Sequence, residues 1–271
     1  MKLKHIYVFL YINFYLLTLG LIQYKFFATY NISFIFICFF LRNVNLLYNI
    51  EKSLRNKPQI NEPTDEYTLI YNNKINKEIF YNIVKSSLLD SIFTTHILLT
   101  HNFKSAVWYL EYNPIYFILL SFFYEIILDF WHYIIHRGIH NIPFLYVNFH
   151  KYHHKMRFVN VYTTFCMNPI DQFLSIILPI YLTLNIFPFN ISELYFSAFL
   201  IYQKYIEISG HCGKKISGNS FTPFMYLPKI FNIHAKVEDH DIHHTLNNCN
   251  YSKRFTLWDK VFNTYKQIKL D

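Results

Sequence analysis

The sequence predicts an all-α fold, an integral membrane helical bundle of about four spans with a cytosolic helical cap that carries a di-metal histidine site. Three observations predict it. Hydrophobic residues make up 53% of the 271 residues and aromatics 21%, while charged residues reach only 15%, too few to cover a soluble surface. Apolar runs long enough to cross a bilayer recur along the chain. Histidine, with 14 copies, crowds into the second half at spacings that suit metal ligands on helices.

The first apolar run, residues 6–27, follows Lys2 and Lys4. No small-residue cleavage site precedes Gln23, so the run reads as an uncleaved span rather than a signal peptide. A second run, residues 28–48, returns across the membrane. Residues 51–77 are polar, contain Pro58 and Pro63, carry both signs of charge, and read as an exposed loop. Residues 79–110 are amphipathic and read as a helix at the membrane interface, with Trp108 and Tyr109 at headgroup level. Residues 114–131 are apolar again, with Glu125 and Asp129 near the far end.

Residues 172–205 are mostly apolar and broken by Pro179, Pro188 and Asn190. They read as two short spans turning near residues 187–190, or as a re-entrant hairpin. In both cases the residues before and after the run lie on one side of the membrane, where the histidine clusters can meet. Lys151, Lys155, Arg157, Lys214 and Lys215 assign that side to the cytosol. The division is residues 1–110, membrane spans and a polar loop, followed by residues 111–268, a catalytic unit. The formal charge of +8 fits positive flanks on spans. Its Lys and Arg form no basic stripe interleaved with aromatics, so nucleic acid is not an expected partner. Cys38, Cys166, Cys212 and Cys249 show no CxxC spacing and imply no disulfide framework.

His132, His136 and His140 are four residues apart, and positions i and i+4 share a helix face. His150, His153 and His154 form an HxxHH box that His240, His243 and His244 repeat. In each box the last two imidazoles are placed to serve different ions if two ions sit side by side. His211 follows the returning hairpin and joins the set. Imidazole suits iron, zinc and copper, and so many copies exceed what one ion uses. Spacing alone therefore specifies a pair of metals without naming the element. Asp129, Asp241, Glu207, Glu238 and Asp239 are candidates to receive the second N–H of ligating histidines. Gly210 and Gly213 are placed for close backbone approach.

The ordered motifs HRGIH (136–140), HKYHH (150–154), GHCG (210–213) and HDIHH (240–244) come next, then Asn250, Tyr251, Ser252 and the stretch from Trp258 to Tyr265. Together they resemble the fatty acid hydroxylase and sterol desaturase superfamily over residues 118–265. Trp131 to Tyr133 with His136 and Arg137 is similar to the sterol C4-methyl oxidase branch. His211 to Gly213 with the last box is similar to the sphinganine C4-hydroxylases. Where those relatives carry His-Pro after the second box this chain has Asn168 and Pro169, and Asp239 stands where the sterol branch often has another histidine.

The resemblance implies a multi-pass enzyme of the endoplasmic reticulum that hydroxylates or desaturates a lipid, a sterol, sphingoid base or fatty acyl chain. It implies two iron ions, dioxygen as co-substrate, and electrons from NAD(P)H through a separate donor, cytochrome b5 with its reductase. The ligand set it implies is His132, His136, His140, His150, His153, His154, His211, His240, His243 and His244. Two other readings are a membrane metal-binding or transport protein and an inactive lipid-binding relative. A transporter needs polar residues inside its spans, and these spans carry little ionisable content away from their ends.

Overall fold

The computed structural model describes residues 3–60, 76–104, 113–157, 159–216 and 221–267. Among them the chain is helical and contains no strand. The helices run α1 (Leu3–Phe27), α2 (Ile32–Leu54), α3 (Lys77–Thr100), α4 (Pro114–Asn141), α5 (residues 143–154), α6 (Pro169–Ile186), α7 (Glu193–Gly210), α8 (Val237–Leu246) and α9 (Leu257–Val261). Four segments are long and apolar enough to cross a membrane: Ile6–Phe27, Ile32–Leu54, Pro114–Asn141 and Pro169–Ile186. The chain is a multi-pass membrane protein whose short helices α5, α8 and α9 build a cap.

Local signals set the helix starts. Asn31, Asn76 and Asn113 accept backbone N–H groups at the heads of α2, α3 and α4, and Pro114 occupies the first turn of α4, where its missing donor costs nothing. The expected hairpin is present as α6 and α7, with Asn168 capping one arm and Ser192 the other. α1 packs on α7 through small residues. A Cβ on Gly20 would stand 3.4 Å from the Ala198 Cα, and Ser197 Oγ donates to the Gly20 carbonyl at 2.8 Å, the close backbone approach that membrane helices favour.

α3 departs from the interfacial helix expected over residues 79–110. It ends at Thr100 and buries a polar stripe of Asn82, Ser86, Ser87, Asp90, Ser91 and Thr94. That stripe faces α2 and α6: Asn43 donates to Ser87 Oγ at 2.9 Å, Gln172 donates to Asp90 at 2.8 Å, and Arg42 lies 3.5 Å from Asp90. Polar groups in an apolar surrounding need partners, so the amphipathic pattern turned the polar face inward. Trp108, Tyr109 and the polar residues 61–75 lie outside the described residues.

The bundle also buries more ionisable content than the linear reading expected. Arg42, Glu125 and Asp129 lie in the candidate spans, and Asp90, Lys204, Glu207 and Arg254 are buried beside them. Lys204 bridges Asp90 at 3.3 Å and Glu207 at 3.1 Å, Lys253 meets Glu207 at 2.8 Å, and Arg254 meets Glu125 at 3.1 Å. Charges from distant segments neutralise one another, as buried charges must. The four cysteines are buried and free.

Candidate metal centre

Nine of the ten predicted histidines meet in two adjacent groups. His136, His140, His150, His154 and His243 form one, and His153, His211, His240 and His244 the other, with the ligand atoms of each group within 4.8 Å of one another. α4 brings His136 and His140, the end of α7 brings His211, and α5 and α8 contribute to both. In an α-helix residue i+4 lies about 40° from residue i, whereas i+3 lies about 60° to the other side. The two HxxHH boxes therefore split in complementary fashion. α5 gives His150 and His154 to the first group and His153 to the second, while α8 gives His240 and His244 to the second and His243 to the first. A π-helical turn over Tyr146–His150 sets His150 at the head of its box, and such turns recur at functional sites.

Backbone carbonyls accept hydrogen bonds and cannot donate them, so they fix the tautomers. His136 Nδ1–H donates to the Tyr251 carbonyl at 2.8 Å, His243 Nδ1–H to the Cys249 carbonyl at 2.7 Å, and His211 Nδ1–H to the Glu207 carbonyl at 2.8 Å. His153 Nδ1–H donates to the Cys166 carbonyl at 3.3 Å, and His150 Nδ1–H to Asp171 at 2.9 Å. In the neutral ring each of these leaves Nε2 as a lone pair. His136 Nε2 and His150 Nε2 then face each other at 3.1 Å with no proton between them, a repulsive contact that a shared cation turns into attraction.

Metal–imidazole bonds of about 2.1 Å, set at right angles as on a six-coordinate ion, put neighbouring ligand atoms about 3.0 Å apart. The observed pairs match that spacing: His150 and His154 Nε2 at 3.0 Å, His211 and His240 Nε2 at 2.9 Å, and His240 and His244 Nε2 at 3.1 Å. Two further ring nitrogens, His140 Nε2 and His243 Nε2, are buried without a hydrogen bond, an arrangement that costs about 1–3 kcal/mol each unless they bind a ligand. The donor set, its tautomers and its spacing fit two metal ions.

Burial, then the neighbouring imidazoles, also keeps the cap histidines uncharged. His153 and His211 are pushed down to about 3, each by loss of solvent and then by the ring beside it, His150 for the first and His153 for the second. His154, His240, His243 and His244 are held well below the usual imidazole range for the same two reasons. Neutral imidazole is the form that binds a metal.

His132 stands apart. Its ring centroid is 5.0 Å from that of His136, its Nδ1–H donates to the Ser175 carbonyl at 2.7 Å, and it joins neither group. His234 bridges the backbone of Phe255 and is likewise outside both.

The supporting carboxylate is one that the linear reading missed. Asp171 is fully buried, accepts from His150 and takes a second bond from Ser175 Oγ at 2.8 Å. Its signal was an acidic residue in the first turn of an apolar hairpin, a functional mark by default. Three of the five expected carboxylates do other work. Asp129 accepts the backbone N–H groups of Lys253, Arg254 and Phe255 at 2.9, 2.8 and 3.1 Å, holding to α4 the segment whose Tyr251 carbonyl orients His136. Glu207 serves through its carbonyl, while its carboxylate pairs with Lys204 and Lys253. Asp239 caps α8 at the Lys236 N–H and receives the Tyr265 hydroxyl.

Of the two glycines, Gly210 has open space around it. Gly213, with φ +62°, would put a Cβ 2.1 Å from the Val159 carbonyl, so only glycine fits the turn just after His211.

The family model for fatty acid hydroxylases matches residues 121–264, more than half of the chain. The chain is 29% identical over 147 residues to the fatty acid hydroxylase vlmA of a Lecanicillium species, covering 52% of this chain and 40% of that protein. It is 28% identical over 150 residues to sphinganine C4-monooxygenase 1 of Arabidopsis thaliana, covering 54% of each. It is 30% identical over 149 residues to lathosterol oxidase of Rattus norvegicus, covering 55% of this chain and 44% of that protein. The chain thus spans about half the length of the curated relatives it matches. No solved structure gives a significant match. On this match over more than half of its length, the chain belongs to the fatty acid hydroxylase family.

Proposed function

We propose that this protein is a dioxygen-dependent lipid hydroxylase or desaturase whose nine clustered histidines hold two iron ions. The observation that carries the reading is the pair of histidine groups with lone pairs facing one another at metal-ligand spacing. Iron bound there would supply the dioxygen activation needed to break an unactivated C–H bond. Hydroxylation consumes that bond, one dioxygen, two electrons and two protons, and yields an alcohol and water. Desaturation uses the same reactants to give a double bond and two waters.

The chain's own residues hold the reaction geometry. Asp171, Ser175 and the carbonyls of Cys166, Glu207, Cys249 and Tyr251 aim the imidazoles, and the spans admit a lipid from the bilayer. Residues 111–268 form the catalytic unit and residues 1–110 the membrane-anchoring unit. The cap faces the cytosol, as Lys151, Lys155, Lys214 and Lys215 near it favour, in the endoplasmic reticulum. Electrons arrive from NAD(P)H through a separate protein of the cytochrome b5 and reductase type. The test compares the lipids of cells expressing the intact protein with those expressing His243→Ala. Hydroxylated or desaturated sterols, sphingoid bases or acyl chains are expected only with the intact protein, and identical lipid profiles would contradict the proposal.

A further inference from the structure

The loop between α8 and α9 supplies the carbonyls that aim two ligands of the first group, Cys249 toward His243 at 2.7 Å and Tyr251 toward His136 at 2.8 Å. A loop carbonyl keeps its direction only if its peptide plane is held. In a trans peptide the carbonyl of one residue and the N–H of the next point opposite ways in one plane, so an acceptor that grips the N–H also aims the carbonyl. The Ser252 N–H shares a plane with the Tyr251 carbonyl and donates to Asp259 Oδ2 at 2.9 Å. The Asn250 N–H shares a plane with the Cys249 carbonyl and donates to the Thr264 carbonyl at 3.1 Å. Between them the Tyr251 N–H donates to Asp259 Oδ1 at 2.8 Å. Asp129 takes the next three, so every backbone N–H from Asn250 to Phe255 ends on an acceptor outside the loop.

The two grips nearest the ligands come from one short stretch, residues 259–266. Asp259 is buried, and its carboxylate, which can only accept, also takes the Thr264 hydroxyl at 2.7 Å. The Thr264 N–H donates to the Asp259 carbonyl at 2.8 Å, so the two residues brace each other. Thr264 Oγ1 lies 3.0 Å from the hydroxyl of Tyr133, one turn before His136 on α4. Asn250 ties the loop to its surroundings: Nδ2 donates to the Asp239 and Lys266 carbonyls at 3.0 and 2.8 Å, and Oδ1 accepts the Lys266 N–H at 2.8 Å. Asn250 and Asn263 hold φ of +53° and +55°, left-handed geometry that asparagine tolerates better than most side chains. The stretches Asn250 to Ser252 and Trp258 to Tyr265, which carry no ligand, thus meet as one brace. Resting on the two-metal reading above, we infer that Asp259 and Thr264 are positioning residues for the first metal group, aiming His136 and His243 through the peptide planes that end in Ser252 and Asn250. The second group takes its orienting carbonyls from Cys166 and Glu207, on other segments, so the effect is confined to the first.

Asp259→Asn keeps the shape of the side chain and replaces one acceptor oxygen by an NH2 donor, so one of the two loop amides meets a donor instead of an acceptor. In chelator competition on the full-length protein, one ion should leave at a chelator concentration about 10–100-fold lower than in wild type, and the other at the wild-type concentration. The same weakening should persist in the His240→Ala background, where the second group has lost its ion, which assigns it to the first group. Thr264→Val removes only the hydroxyl brace and should weaken the same ion by less than about tenfold. Trp258→Phe removes the indole bond to the Ile126 carbonyl and leaves both grips in place; it should lower the thermal midpoint without moving either affinity. Equal weakening of both ions in Asp259→Asn, or a matching loss in Trp258→Phe, overturns the inference. Amide hydrogen exchange on protein stripped of metal separates this outcome from failure of the oxygenase reading. Exchange at residues 250–252 should be faster in Asp259→Asn and Thr264→Val than in Trp258→Phe. That pattern in a protein that takes up no metal would sink the oxygenase reading and leave the grip on the loop standing, whereas unchanged exchange in a protein that binds both ions would do the opposite.

Discussion

The two histidine groups differ in how firmly the protein holds them. The first has five members drawn from α4, α5 and α8, and three of them, His136, His150 and His243, are oriented by hydrogen bonds of 2.7–2.9 Å. The second has four members, with His211 oriented at 2.8 Å and His153 at 3.3 Å. Its His240 borders a small cavity of about 70 Å³ lined also by Ser209, Lys236 and Ser252. One group is fuller and braced, while the other is less filled and lies beside a small cavity. A six-coordinate ion would have about one free position in the first group and about two in the second, so small reactants have more room at the second.

That contrast is most directly broken by removing a braced ligand. His243→Ala should abolish product and lower metal content, because His243 is fully buried, reaches the first group from the opposite box, and has a ring nitrogen with no other partner. Full activity in the variant would show that the first group is not a metal site. His240→Ala is expected to remove one ion while the first group and its braces keep the other, giving about half the wild-type metal by elemental analysis. Loss of both ions would mean that the groups are not separable.

Asp171→Asn sharpens the same comparison, because it preserves an acceptor for His150 and removes the charge. Supporting partners of this kind are worth about 10–100-fold in metal affinity, so competition with a chelator should show that much weakening at the first group and none at the second. Equal weakening of both would contradict the bracing of the first group by Asp171. The smallest effect is expected at Gly213→Ala, where the added Cβ clashes with the Val159 carbonyl. It should cost about 1–3 kcal/mol in stability and disturb His211, seen as a lower thermal midpoint, with occupancy of the second group reduced and that of the first group kept.

Much of this was legible in the linear sequence, because helical periodicity is local. The i, i+3 and i+4 offsets fixed which imidazoles share a face, and the hairpin read over residues 172–205 explained how boxes about ninety residues apart converge. What escaped was what only tertiary packing sets. Asp171 reads as one acid among many until the fold stacks α6 against α5. The buried network around Lys204 and Glu207 is assembled from α2, α3, α7 and the segment after α8, and each of its charges looks alone in its own segment. His132 keeps i+4 spacing to His136, yet the fold leaves it outside both groups. α3 was misplaced because an amphipathic pattern does not say whether its polar face meets water or other buried polar groups.

The central claim is tested most directly by counting metal in the full-length protein purified without added metal, using plasma mass spectrometry calibrated against protein concentration. About two transition-metal ions per chain are predicted from the two donor groups, and chiefly iron on the proposed function. Fewer than about one ion per chain would contradict the di-metal site.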